Sequence, residues 1–196
     1  MDLCDLQSCQ QRQILLRVRI SQGIKRMRQL FEIDLKDYNE SDRVFRRPSA
    51  RAIILKGDKI ALVYSKAEKY YKFPGGGIRN DEDRKEALIR EVREEVGMVV
   101  KPETIEEFGS VLRRQKGKED GVIFEQENYY YFCETEDELV SQELDEYEKD
   151  AEFVLRIVPL DEAIATNEAY VSEDSFNPVM IKRECRVLKM IAERNK

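Results

Sequence analysis

The stretch from Phe73 to Met98, FPGGGIRNDEDRKEALIREVREEVGM, constrains this chain more than any other. Gly75, Gly76 and Gly77 let the backbone come close to a ligand where a Cβ would block it. Asn80 to Asp83 supply short polar side chains and acids, which favour a helix start. Gly97 supplies a left-handed stop after Val96. With Glu91 at zero on a helical wheel of about 100° per residue, Glu94 falls near about −60° and Glu95 near about +40°. Leu88, Val92, Val96 and Ile89 lie between about +60° and +160°, the face that must bury. Ala87, at about −40°, adds no bulk to the acidic stripe. The three carboxylates therefore run as one stripe beside the buried edge.

Carboxylates this close repel one another unless cations neutralise them. Hard divalent ions such as Mg²⁺ or Mn²⁺ take oxygen ligands, keep several waters and bridge to phosphates. The helix thus calls for a metal, and the metal calls for a phosphate. Arg90 can hold a neighbouring carboxylate through a two-pronged bond. A solvated Glu/Arg helix laced by i,i+4 pairs has the same local composition. Only the spacing of the whole stretch separates the two.

The rest of the chain narrows the chemistry. There is no histidine among 196 residues, which excludes catalytic triads, His-ligated zinc and imidazole acid/base work. Cys4, Cys9, Cys133 and Cys185 form no CxxC pair, so no zinc site or redox motif is indicated. A net charge of −6 argues against a stable nucleic-acid partner. No apolar run reaches the ~18–20 residues of a membrane span. The polar, acidic start does not read as a secretion signal. Scattered thiols suit a reducing compartment, so a cytoplasmic location is expected.

Along the chain, residues 1–26 read either as an extension or as a packed N-terminal helix. The domain proper is expected from Met27 to Lys196. Ser49–Lys56 and Lys59–Ser65 flank Gly57-Asp58 as a hairpin. Tyr70–Phe73 reads as a third strand. Ile105–Arg114 and Val122–Cys133 are expected to pair antiparallel. The acidic run from Glu134 to Asp150 reads as a solvated loop with one helical turn. A strand over Ala151–Val158, a short helix from Pro159 and an amphipathic helix over Asn177–Ala192 follow. The expected class is α/β, a three-layer sandwich around a mixed, largely antiparallel sheet.

Within the central stretch, Gly76 is followed by five residues and Glu82. After seven more come Arg90-Glu91, apolar Val92, one residue, Glu94-Glu95, one residue, Gly97 and apolar Met98. This resembles the Nudix box, G-x5-E-x7-R-E-U-x-E-E-x-G-U with U bulky and apolar, and every fixed position is filled. Arg79-Asn80-Asp81 departs from the family's frequent Glu-x-Gly at free positions. The resemblance implies the Nudix α/β/α fold and cleavage of a nucleoside diphosphate linked to another group by metal-activated water. It implies Mg²⁺ or Mn²⁺ held by Glu91, Glu94, Glu95 and the carbonyl of Gly75, with Arg90 and Glu82 orienting the cluster. In the family the general base is a box glutamate or a carboxylate from a later loop. Glu125 and Glu127, alternating with Tyr129 and Tyr131, are candidates for that late base or ligand. Substrate contacts are expected among Arg46, Arg47, Arg51, Arg113, Arg114 and the tyrosines, with Arg51, Arg113 and Tyr129 foremost. Segments that mark ADP-ribose, NADH and coenzyme A hydrolases are missing, which leaves the substrate open. The family's frequent dimers make a homodimer an expectation. Two other readings share the fold: a non-catalytic nucleotide sensor and an isoprenoid diphosphate isomerase. The isomerase chemistry needs histidine, which this chain lacks.

Overall fold

The computed structural model describes residues 27–172 and 176–194, so the question of an extension over residues 1–26 lies outside it. The chain opens with β1 (Gln29–Asp34) and β2 (Arg43–Arg46). β3 (Ser49–Lys56) and β4 (Lys59–Ser65) form the expected hairpin, closed by Gly57 at a positive φ of 64°. β5 (Tyr70–Lys72) pairs with β4 and leads into the glycine turn. Helix α1 (Arg84–Val96) begins at Asp83, whose side chain accepts from the Lys85 amide at 2.8 Å. It ends at Gly97, left-handed at φ 68°, as the sequence requires.

Beyond α1 come β6 (Met98–Val100), β7 (Glu106–Lys116) and β8 (Val122–Phe132). Next are β9 (Thr135–Leu139), helix α2 (Glu146–Asp150) and β10 (Phe153–Pro159). Helices α3 (Leu160–Glu168) and α4 (Asn177–Arg194) complete the described chain. The main sheet runs β1-β7-β8-β3-β4-β10, with β2 on β8 and β5 on β4. β1–β7, β2–β8 and β3–β8 are parallel; the other pairings are antiparallel. This is a mixed α/β fold.

Strand alternation sorts the core into two layers. Ala50, Ala52, Ile54, Tyr129 and Tyr131 face α1, packing on Leu88, Val92 and Val96. Ile53, Leu62 and Tyr130 face the other way, onto Ala163 of α3 and Val187, Leu188 and Ile191 of α4. Of the face expected to bury, Leu88, Val92 and Val96 do and Ile89 does so only in part, while Ala87 and Glu95, at 1% exposure, go in with them from the acidic side.

The acidic run after Glu134 is a correction. It is not a plain solvated loop: β9 pairs antiparallel with β6, from Met98↔Leu139 to Val100↔Thr135. Helix α2 is closed by a capping box, Asp145 and Glu148 each accepting from the other's amide. The one helical turn expected in this run is there as α2, while charge density hid β9, which keeps only Thr135 buried.

Candidate active site

Arg90 is the hub of the box. Its Nε donates to Glu82 Oε1 at 2.7 Å and its Nη2 to Glu82 Oε2 at 2.9 Å. Nη1 donates to Glu91 Oε1 at 2.7 Å and Glu94 Oε2 at 3.0 Å. Nη2 also reaches the Gly77 carbonyl at 3.1 Å, tying helix to turn. The planar guanidinium suits this fork of contacts, which an ammonium could not reproduce. The bond from Arg90 holds the Glu82 carboxyl down, from its ordinary 4.5 to about 2. Glu82 also accepts from the Arg79 amide at 2.8 Å, which closes the turn before the helix.

The glycines are needed where the carboxylate lies. A Cβ on Gly76 would sit 2.0 Å from Glu91 Oε2. At Gly75 a Cβ would meet the Ala50 carbonyl oxygen at 2.1 Å, and φ is +130°. The Gly75 amide donates to Glu95 Oε2 at 2.9 Å. The Gly75 carbonyl is taken by Arg51 Nη1. Glu95 Oε1 lies 2.5 Å from Lys72 Nζ. The contact has the distance of an ion pair without hydrogen-bond angles, so this buried oxygen keeps an unused acceptor.

Among the described residues, no three acidic side chains converge on one point as they stand. Arg90 draws Glu91 and Glu94 together, while Lys72 and the Gly75 amide engage Glu95. The donor set nevertheless fits a hard divalent cation: carboxylate oxygens and an orphaned buried acceptor, with the Gly75 carbonyl held by Arg51. The cations of the chain meanwhile balance the carboxylate charge.

A cleft of about 690 Å³ opens beside this cluster, lined at one end by Gly75, Gly76 and Glu91. Arg51, Arg113 and Gln126 also line it, as do Phe45, Phe124 and Phe176. Arg51 is 7% exposed and its Nε finds no acceptor. Arg113 is buried, donating to Gln115 Oε1 at 2.8 Å and the Phe176 carbonyl at 2.6 Å. Arg47 also lines the cleft.

Other expected residues lie elsewhere. Phe124 and Gln126 of β8 face the cleft, so alternation turns Glu125 and Glu127 to the opposite side. Glu125 pairs with Arg46 at 2.8 Å and Arg114 at 3.1 Å. Glu127 accepts from Tyr129 at 2.7 Å and Ser110 at 3.2 Å. Tyr129 packs in the α1 layer beneath the Arg84 guanidinium, 3.7 Å from its ring centre, and burial pushes its hydroxyl up to about 12. The structure therefore gives none of the three a place in the cleft.

What sequence reasoning missed is on α2 and β5. Tyr147 and Glu148 line the cleft, as does Lys72. Burial, with the Glu95 charge adding to it, pushes the Glu148 carboxyl up to about 7. The capping-box pattern Asp145…Glu148 was the available signal for this helix.

Among curated proteins no sequence matches. The structure resembles the mutator MutT protein of Bacillus halodurans, 20% identical, covering 69% of this chain and 80% of that one, TM-score 0.50. A NUDIX hydrolase of Nitrosomonas europaea is 16% identical, covering 71% and 89%, TM-score 0.48. The ORF135 protein of E. coli is 21% identical, covering 73% and 92%, TM-score 0.44. The first of these likenesses speaks to the fold alone. The sequence model of the NUDIX domain matches residues 45–178, most of the chain and the whole box. With the arginine-centred box folded beside a cleft that Gly76, Gly77 and Glu91 line, that match makes this chain a member of the NUDIX domain family and a Nudix hydrolase, in general a pyrophosphohydrolase.

Proposed function

We propose that this protein is a divalent-metal-dependent hydrolase that cleaves the pyrophosphate of a nucleoside diphosphate linked to another moiety. The observation that carries the reading is the Arg90 fork, which gathers Glu82, Glu91, Glu94 and the Gly77 carbonyl beside the cleft that Gly77 and Glu91 line. Glu91, Glu94, Glu95 and the Gly75 carbonyl are the groups that would hold Mg²⁺ or Mn²⁺. When bound, the ion supplies a water of lowered pKa and neutralises phosphate charge.

The chain's own residues do the rest. Arg90 and Glu82 orient the carboxylates, and the near-complete burial of Glu95 fixes the turn against the helix. Arg51 offers a buried N–H without an acceptor, a donor matched to a phosphate oxygen. Arg47 and Arg113 extend the positive lining along the cleft. Glu148 has a carboxyl that titrates near neutrality, as a general base requires, and it would take the proton of the attacking water. The partner is a small phosphorylated, nucleotide-like substrate.

A panel of nucleoside triphosphates, nucleoside diphosphate sugars and dinucleotides, with Mg²⁺ or Mn²⁺, tests this by phosphate and nucleotide release. Turnover is expected on at least one member and none after thorough chelation with EDTA. Glu94→Gln is expected to lower kcat by about a hundredfold or more, the scale seen when one stabilising group is removed from a transition state. Persistent turnover in EDTA, or an unaffected Glu94→Gln enzyme, overturns the ligand assignment. Tight binding without turnover identifies a sensor instead.

A further inference from the structure

Lys72 ends β5 two residues before the Pro74-Gly75 turn, and it is 8% exposed. A buried ammonium needs a countercharge. Its neighbours account for it: Glu95 Oε1 at 2.5 Å and the face of the Phe153 ring, 4.2 Å from the ring centre. Glu95, at 1% exposure, has its other oxygen on the Gly75 amide at 2.9 Å. One carboxylate thus joins the glycine turn to a lysine that lines the same cleft as Gly75, Gly76 and Glu91. A divalent cation at this carboxylate would come to the same oxygen that the Lys72 ammonium faces, Glu95 Oε1.

We propose that Lys72 is a resident counter-ion that competes with the divalent cation for Glu95 and, once displaced, serves the substrate's phosphate. This rests on the hydrolase reading given above. Two positive groups at one buried oxygen repel, so metal loading weakens the Lys72–Glu95 pair and the pair weakens metal loading by the same factor. Among the ion pairs of the described residues Lys72 pairs only with Glu95, and the other carboxylate that feels its charge, Glu148, lines the same cleft. Lys72 lies in the wall of the cleft, where an anionic substrate would meet it. The free enzyme is thereby kept neutral and folded at Glu95, and metal and phosphate arrive as a coupled set.

The two halves of the proposal carry opposite signs, which a merely structural lysine would not produce. Lys72→Gln removes the charge but keeps a donor for Glu95; Lys72→Met removes both. Mn²⁺ binding to the full-length proteins is read by electron paramagnetic resonance, and thermal melting is followed with and without Mn²⁺. Expected are a Kd for Mn²⁺ at least about tenfold lower in Lys72→Gln, a larger Mn²⁺-induced rise in Tm in both variants, and a raised KM at saturating metal. If Lys72→Met does not fold alone, recovery of its fold by Mn²⁺ is the expected result. An unchanged or weaker Mn²⁺ affinity, equal Tm rises, or an unchanged KM overturns the proposal while leaving the hydrolase reading intact. Absence of Mn²⁺ binding by wild type and variants alike overturns that reading as well.

Discussion

Arg90 and the two glycines before it show how single side chains set this site. Arg90 donates five times within the box, and Glu82 depends on it most. Because the Glu82 carboxyl is held below its ordinary 4.5, at about 2, its contribution to stability is complete above pH 4.5. That contribution is lost as pH falls through about 2. Glu82→Gln is expected to cost about 1–3 kcal/mol at pH 7 and to flatten the acid limb of the stability curve, measured by urea unfolding at several pH values. Gly76→Ala probes the other side of the box. Its Cβ would stand 2.0 Å from Glu91 Oε2, so the carboxylate must move. Activity should fall at least about tenfold with melting changed by only a few degrees, since the obstacle is a movable side chain.

At the scale of elements, helix α1 was legible because everything that shapes it is local. The cap at Asp83, the stop at Gly97 and the apolar stripe all lie within the stretch they define. The β3–β4 hairpin was legible for the same reason, its turn being two residues long. β9 and the placing of α2 were not, because β9's pairing to β6 and α2's position at the cleft depend on contacts distant in sequence. α2 carries a functional consequence. Burial raises Glu148 to about 7, so kcat/KM should show an acid limb near that pH, falling as pH drops and the base is protonated. Glu148→Gln should lower the plateau and abolish the limb in a pH–rate profile. An unchanged profile would remove Glu148 from the mechanism. Asp145→Ala, which opens the capping box, should cost about 1 kcal/mol or less and weaken the limb without removing it.

The whole molecule is tied together from its far end. Glu184 of α4, fully buried, accepts from the Phe73 amide at 2.8 Å and the Tyr130 hydroxyl at 3.2 Å. Its neighbour Arg183 donates to Gln126 Oε1 at 2.9 Å in the cleft wall and pairs with Glu184 at 2.5 Å. The last helix therefore braces both the glycine turn and the cleft floor. Glu184→Ala should destabilise by about 3–5 kcal/mol, since it strands a buried guanidinium. Replacing both partners, Arg183→Met with Glu184→Leu, should cost much less, as read from urea unfolding midpoints. Sequence alone was enough to set the box helix: spacing put Glu91, Glu94 and Glu95 on one stripe, and Gly76 leaves the room that the Glu91 carboxylate takes. Sheet register and long-range packing decided the surroundings. They turned Glu125, Glu127 and Tyr129 away from the cleft, brought Lys72 onto Glu95 and carried Glu148 in from a helix some fifty residues later. Helical spacing is a property of neighbours in sequence. Which strand face meets a cleft is a property of the partners it pairs with, and those are set only when the chain has folded.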